Sequence, residues 1–137
     1  MFTATQLVSH FIGDYILQTH EMATKKTSSI AWATIHAIFY TIPFVFITQS
    51  FSSLFVIYVT HKYIDRYRLA RWVNYAKNIN SFREPIPDSI HFESITNPNT
   101  STGYPEGTPD WLAVWLLIIT DNIMHIVINA LAIYHLG

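Results

Sequence analysis

Three aspartates and four histidines sit in stretches of this chain that are otherwise almost free of charge. His10 and Asp14 are four residues apart, with Gln6 and Gln18 flanking them at the same interval. His61 and Asp65 repeat that spacing, Asp121, His125 and Asn129 repeat it again, and His36 stands alone. Residues four apart share one helix face, so each set makes a single polar stripe. Imidazoles and carboxylates projecting from facing helices are the material of metal centres in helical bundles, and the mixture suits Zn, Mn or Fe. The candidate ligands of such a divalent metal are His10, Asp14, His36, His61, Asp65, Asp121 and His125. Seven exceed one tetrahedral set, which implies either two ions or ligands that are oriented by the remainder. The candidate catalytic residues are Asp121 and His125, completing the site or acting as acid and base, and Gln18, orienting a water or substrate. Any one of these residues alone would read more simply as a hydrogen bond between helices. It is their repetition in rows that points to a cluster.

The elements that must position these residues follow from composition. The chain has 137 residues, of which 50% are hydrophobic, 15% aromatic and 12% charged. Soluble domains carry roughly 25% charged residues, so this surface is built for another solvent. Four apolar stretches, about 2–19, 29–48, 52–71 and 110–135, each approach the ~20 residues that cross a bilayer as a helix. The expectation is one all-α domain over 1–137, an integral membrane four-helix bundle. The third stretch turns charged after Thr60, and a single helix running on to about Lys77 is an alternative for it. Pro43 should kink the second stretch and free a backbone carbonyl. Five of the six prolines lie between Pro85 and Pro109, which marks about 79–108 as one long polar loop. His91 in that loop and His135 at the membrane edge are read as incidental.

Charge orients the bundle. The eight basic residues, from Lys25 to Arg83, all fall on one side of a four-span arrangement. The positive-inside rule then makes 20–28 and 79–108 cytoplasmic and leaves both termini outside, in a multi-pass membrane protein. Arg66, Arg68 and Arg71 read as a headgroup anchor, and Trp32, Trp72, Trp111, Trp115, Tyr63 and Tyr67 as interfacial aromatics. A formal net charge of −1 argues against nucleic-acid binding, and the lack of cysteine excludes disulfide and thiol chemistry. Within such a slab, His10, Asp14, His36, His61 and Asp121 fall near the bilayer midplane, Asp65 nearer the cytoplasm and His125 nearer the outside.

The segment His10-Phe11-Ile12-Gly13-Asp14-Tyr15-Ile16-Leu17-Gln18, with Lys25-Lys26 downstream, resembles the opening of a domain-of-unknown-function family of small bacterial and phage inner-membrane proteins. His36-Ala37, His61 to Asp65 and Asp121-Asn122-x-x-His125 look like its later segments, with Asn122 where many members carry Gln. The resemblance marks His10, Asp14, Gln18, His36, His61, Asp65, Asp121 and His125 as motif positions and implies no activity. A looser similarity, at fold level, is to bacterial membrane-bound metal-dependent hydrolases.

Three functions compete on the sequence. The first is a metal-dependent hydrolase acting on a lipid or lipid-linked phosphate or ester, with Asp14, Asp65, His10 and His61 as core ligands. The second is a proton or ion relay, which would call for a homo-oligomer because one four-helix unit encloses little pathway. The third is a non-enzymatic phage or bacterial factor that engages envelope membrane proteins through its loop.

Overall fold

The computed structural model describes residues 2–79, 101–105 and 107–137. The elements among these residues are all helices, joined by turns, with no strand among them. The expected loop at 79–108, including His91, lies largely outside them.

Thr3 opens the first helix with a reciprocal cap: its hydroxyl accepts from the Gln6 backbone N–H while the Gln6 side chain accepts from the Thr3 N–H. α1 runs over Ala4–Phe11 and continues into a π-helical turn, Ile12–Ile16. Together these span roughly 20 Å, so the first stretch is shorter than the sequence suggested. Thr19 caps a short helix, α2, over His20–Lys25. Ser29 caps α3, Ile30–Thr41, which tightens at Pro43 into a 3-10 turn, Ile42–Phe46. The expected kink therefore takes the form of an overwound end, and the Pro43 carbonyl accepts from the Ser9 hydroxyl at 3.5 Å. Ser50 caps α4, Phe51–Tyr67. Arg68 stops it in the left-handed conformation (φ 51°, ψ 51°), and α5, Leu69–Lys77, begins anew. A single third helix reaching Lys77 is thus excluded by one backbone corner. α6 is unbroken over Asp110–Leu136.

The chain divides into two compact units. One comprises residues 1–68 with 123–137, and in it α3 packs along α4 and against the π turn. The approach to the π turn is close: a Cβ on Gly13 would meet the Tyr40 carbonyl oxygen at 2.7 Å. Tyr40, Phe44, Ile57 and Ala132 form the apolar core of this unit. Its polarity is otherwise inverted. His10, His36, His61 and His125 are among its most deeply buried side chains, whereas Phe46 is 87% and Phe51 80% exposed.

The second unit, residues 69–122, is organised by Asn74. This fully buried amide donates to the Thr102 carbonyl at 3.1 Å and accepts from the Thr120 hydroxyl at 2.8 Å. Gly103 (φ 77°) sits so close to α5 that a Cβ there would strike the Arg71 carbonyl.

α6 is the one described helix long and apolar enough to cross a membrane. The apolar stretch Ile30–Phe46 is shorter.

Candidate metal centre

Four side chains from three helical segments of the first unit converge. Asp14 comes from the π turn, His36 from α3, and His61 and Asp65 from successive turns of α4. All four are buried. A π turn is wider than an α turn and tends to occur where a side chain must be re-aimed for function. Here it carries Gly13, which allows the approach to α3, and Asp14, which faces His36 across that approach.

Each residue contributes one ligand atom, and all four atoms lie within 4.8 Å of one another. His36 Nε2 is 3.0 Å from His61 Nε2, 3.1 Å from Asp65 Oδ2 and 3.3 Å from Asp14 Oδ1. His61 Nε2 is 3.2 Å from Asp65 Oδ2 and 4.0 Å from Asp14 Oδ1. With metal–ligand bonds of ~2.1 Å, a tetrahedron puts every pair of ligands ~3.4 Å apart. An octahedron puts adjacent ligands ~3.0 Å and opposite ligands ~4.2 Å apart. The five separations, four of 3.0 to 3.3 Å and one of 4.0 Å, fall in the range that these geometries set for ligands of one ion. Two ring nitrogens 3.0 Å apart beside two carboxylates form a compact donor set that a cation can bridge.

The nitrogens facing away from the centre are also arranged. His61 Nδ1 is 3.2 Å from His125 Nδ1, and His125 Nε2 is 3.4 Å from Asp65 Oδ1. If His61 binds through Nε2, its Nδ1 carries the proton and donates to His125. His125 then carries its proton on Nε2, toward Asp65. One histidine thereby orients two ligands, which is the role expected of an outer partner. His125 was expected as a ligand and a catalytic residue; it lies outside the four-atom set, against His61 and Asp65. His36 lacks such a brace: its Nδ1 is buried with no hydrogen-bond partner among the described residues.

The other predicted residues are distributed as follows. His10 is fully buried but outside the four-atom set, with Nδ1 2.9 Å from the Tyr40 hydroxyl. That hydroxyl also accepts from Asn129 Nδ2. Tyr40 stacks on His61, with ring centroids 3.4 Å apart and planes 6° from parallel. His10 and Asn129 therefore hold Tyr40, and Tyr40 holds the plane of a ligand. Asp121 is half-buried on α6, one turn before His125, and belongs to the second unit. Gln18 follows the π turn beyond the end of the first helix. It is half-buried, and its Oε1 accepts no hydrogen bond. The four-residue rule carries a face only along a regular α-helix, so the π turn takes Gln18 out of the row it appeared to share with Asp14.

One participant was not among the predicted site residues. Lys26 Nζ is 2.8 Å from Asp65 Oδ2, 3.3 Å from His36 Nε2 and 3.9 Å from Asp14 Oδ1. Its place downstream of the first motif was the available signal, but a lysine between helices reads by default as a solvated charge.

No curated protein and no solved structure matches this chain. A family profile described as protein of unknown function (DUF3307) matches residues 2–95. That stretch holds Asp14, Lys26, His36, His61 and Asp65 together, and the chain belongs to this family of unknown function.

Proposed function

We propose that this chain is a multi-span membrane protein whose interior binds a divalent metal ion, Zn, Mn or Fe, and uses it to hydrolyse a lipid or lipid-linked phosphate or ester. The observation that carries the reading is the convergence of one ligand atom each from Asp14, His36, His61 and Asp65 within 4.8 Å of one another. A divalent ion there would polarise a phosphoryl or acyl oxygen and acidify a coordinated water. The protein's own part is to hold four ligands in register, fix the His61 tautomer through His125, and exclude bulk water by burial.

The membrane assignment rests on α6, on the apolar exterior and on the one-sided basic residues. The stretches about 2–19, 29–48, 52–71 and 110–135 are its proposed spans, with 20–28 and 79–108 on the cytoplasmic side and both termini outside. A lipid-linked substrate follows from where the cluster lies, because a water-soluble ester would have to leave water to reach it.

Metal analysis of detergent-purified protein tests the reading. About one Mn, Fe or Zn per chain, lost in both Asp14→Asn and Asp65→Asn, supports it. A chain that takes up none of these ions under any loading condition overturns it. Stoichiometric Zn with no hydrolysis of phospholipid or polyprenyl phosphate leaves a structural metal and removes the enzymatic half.

A second reading has one observation in its favour. His36, His61 and His125 are linked in series by ring-nitrogen separations of 3.0 and 3.2 Å, as a proton relay requires. Proton flux into liposomes that stops in His61→Ala, without any bound metal, would favour it.

A further inference from the structure

Two buried carboxylates in one small cluster need a compensating cation. The side chain that supplies it is Lys26, which touches the same atoms a metal would use. A divalent ion among Asp14, His36, His61 and Asp65 would stand within a few ångströms of that ammonium. At such a distance, in a poorly screened interior, two positive charges repel strongly. Lys26 and the metal are therefore alternative occupants.

The surroundings of Lys26 allow exchange. Its side chain is 16% exposed, whereas those of His36 and His61 are wholly buried. It caps the end of α2 and enters the turn before α3, at the partly exposed edge of the cluster. The turn is pinned from its flanks rather than through Lys26. Arg66 on α4 donates to the Thr27 carbonyl, Lys25 lies over the Trp32 ring, and Lys25 pairs with Glu21. None of these contacts must break for Lys26 to swing outward.

We propose that Lys26 is a built-in cation that keeps the centre intact while empty and is expelled by the incoming metal, so that the α2–α3 turn is the gate through which the ion enters. The inference rests on the metal reading above and regulates the same site. Charge balance sets the sequence of events. With Lys26 inside, the two aspartates keep one negative charge in excess. Replacing Lys26 by a divalent ion neutralises them fully, and the ammonium returns to water. The centre thereby discriminates against monovalent ions, which offer nothing that Lys26 does not already supply.

The test uses the full chain in detergent with Mn2+ and Zn2+ alone as probes, their affinities read by chelator competition. Lys26→Met keeps the length of the side chain and removes its charge; Lys26→Arg keeps the charge. The expected result is binding tighter by about tenfold or more in Lys26→Met, with Lys26→Arg at or below the wild-type affinity. Unchanged or weaker binding in Lys26→Met, while the wild type still binds metal, overturns the gate and leaves the metal reading standing. Failure of both wild type and Lys26→Met to take up either ion, through the same four residues, sinks the two together. A second measurement needs no variant to fold. Acylation of Lys26 by an amine-reactive reagent, followed by peptide mass spectrometry, should accelerate when metal is added to the wild type. A rate that stays constant or falls on metal addition overturns the proposal.

Discussion

His61 and His125 meet through their Nδ1 atoms, 3.2 Å apart, deep inside the first unit. A hydrogen bond between two like nitrogens assigns opposite roles: one must donate and the other accept. Coordination through His61 Nε2, as proposed, would decide which, and His125 would then accept at Nδ1. His125→Ala should therefore leave metal stoichiometry near one per chain while weakening affinity roughly 10- to 100-fold. His61→Ala should abolish binding. Chelator competition on the two variants separates an orienting residue from a ligand.

Tyr40 acts one step further out, stacked on His61 and held by His10 and Asn129. Tyr40→Phe keeps the ring and removes the hydroxyl, leaving His10 and Asn129 buried without their shared partner. A loss of about 1–3 kcal/mol in unfolding free energy is expected, with smaller effect on metal affinity than His125→Ala. Thermal or denaturant unfolding in detergent, alongside metal titration, reads both quantities.

Gly13 is required for space. A Cβ placed there would meet the Tyr40 carbonyl oxygen at 2.7 Å and its Cα at 3.0 Å, which are backbone atoms with little freedom to yield. Gly13→Ala should push the π turn away from α3, costing about 1–3 kcal/mol and carrying Asp14 away from His36. Reduced thermal stability together with reduced metal affinity would follow. Retention of both would mean that the helix shifts without moving the carboxylate.

Asn74 is the corresponding test in the second unit. Asn74→Ala leaves the Thr102 carbonyl and the Thr120 hydroxyl without their shared amide, at an expected cost of about 1–3 kcal/mol. The effect should appear as faster proteolysis near 101–105, with metal binding by the first unit unchanged.

The absence of native cysteine makes topology directly measurable. Thr27→Cys and Gln49→Cys each place one thiol at an exposed position at opposite ends of α3 and its 3-10 turn. In intact cells a membrane-impermeant maleimide should label Gln49→Cys and spare Thr27→Cys until the membrane is opened. The reverse pattern would invert the orientation drawn from the basic residues. Labelling of both in intact cells would remove the multi-span reading.

The sequence carried much of this centre, for a physical reason that also explains where it failed. Where a helix is regular, spacing is geometry. His61 and Asp65 on α4 do share a face, as do His125 and Asn129 on α6, because neither helix is interrupted between them. The helical boundaries near 30–46, 51–67 and 110–136 follow from hydropathy and from Ser caps. Gln18 was set in the row of Asp14 because nothing in Ile12–Ile16 announces a π turn by composition. The corner at Arg68 was equally hidden, since a left-handed residue is usually Gly or Asn and here is Arg. Lys26 and Tyr40 were missed because their roles depend on which helices pack together, a property of the whole fold that spacing along one segment does not encode.

The wide turn at Ile12–Ile16 has a consequence for how this segment can vary. Each residue added to or removed from a helix rotates everything beyond it by about 100°. The π turn has absorbed one such step between His10, which answers to Tyr40, and Asp14, which answers to His36. Deleting Ile12 or Gly13 would shorten the interval between His10 and Asp14 by one residue and turn the two onto different faces, so that either the tyrosine or the histidine loses its counterpart. The length of this short segment is thus as much a part of the centre as the identity of its carboxylate.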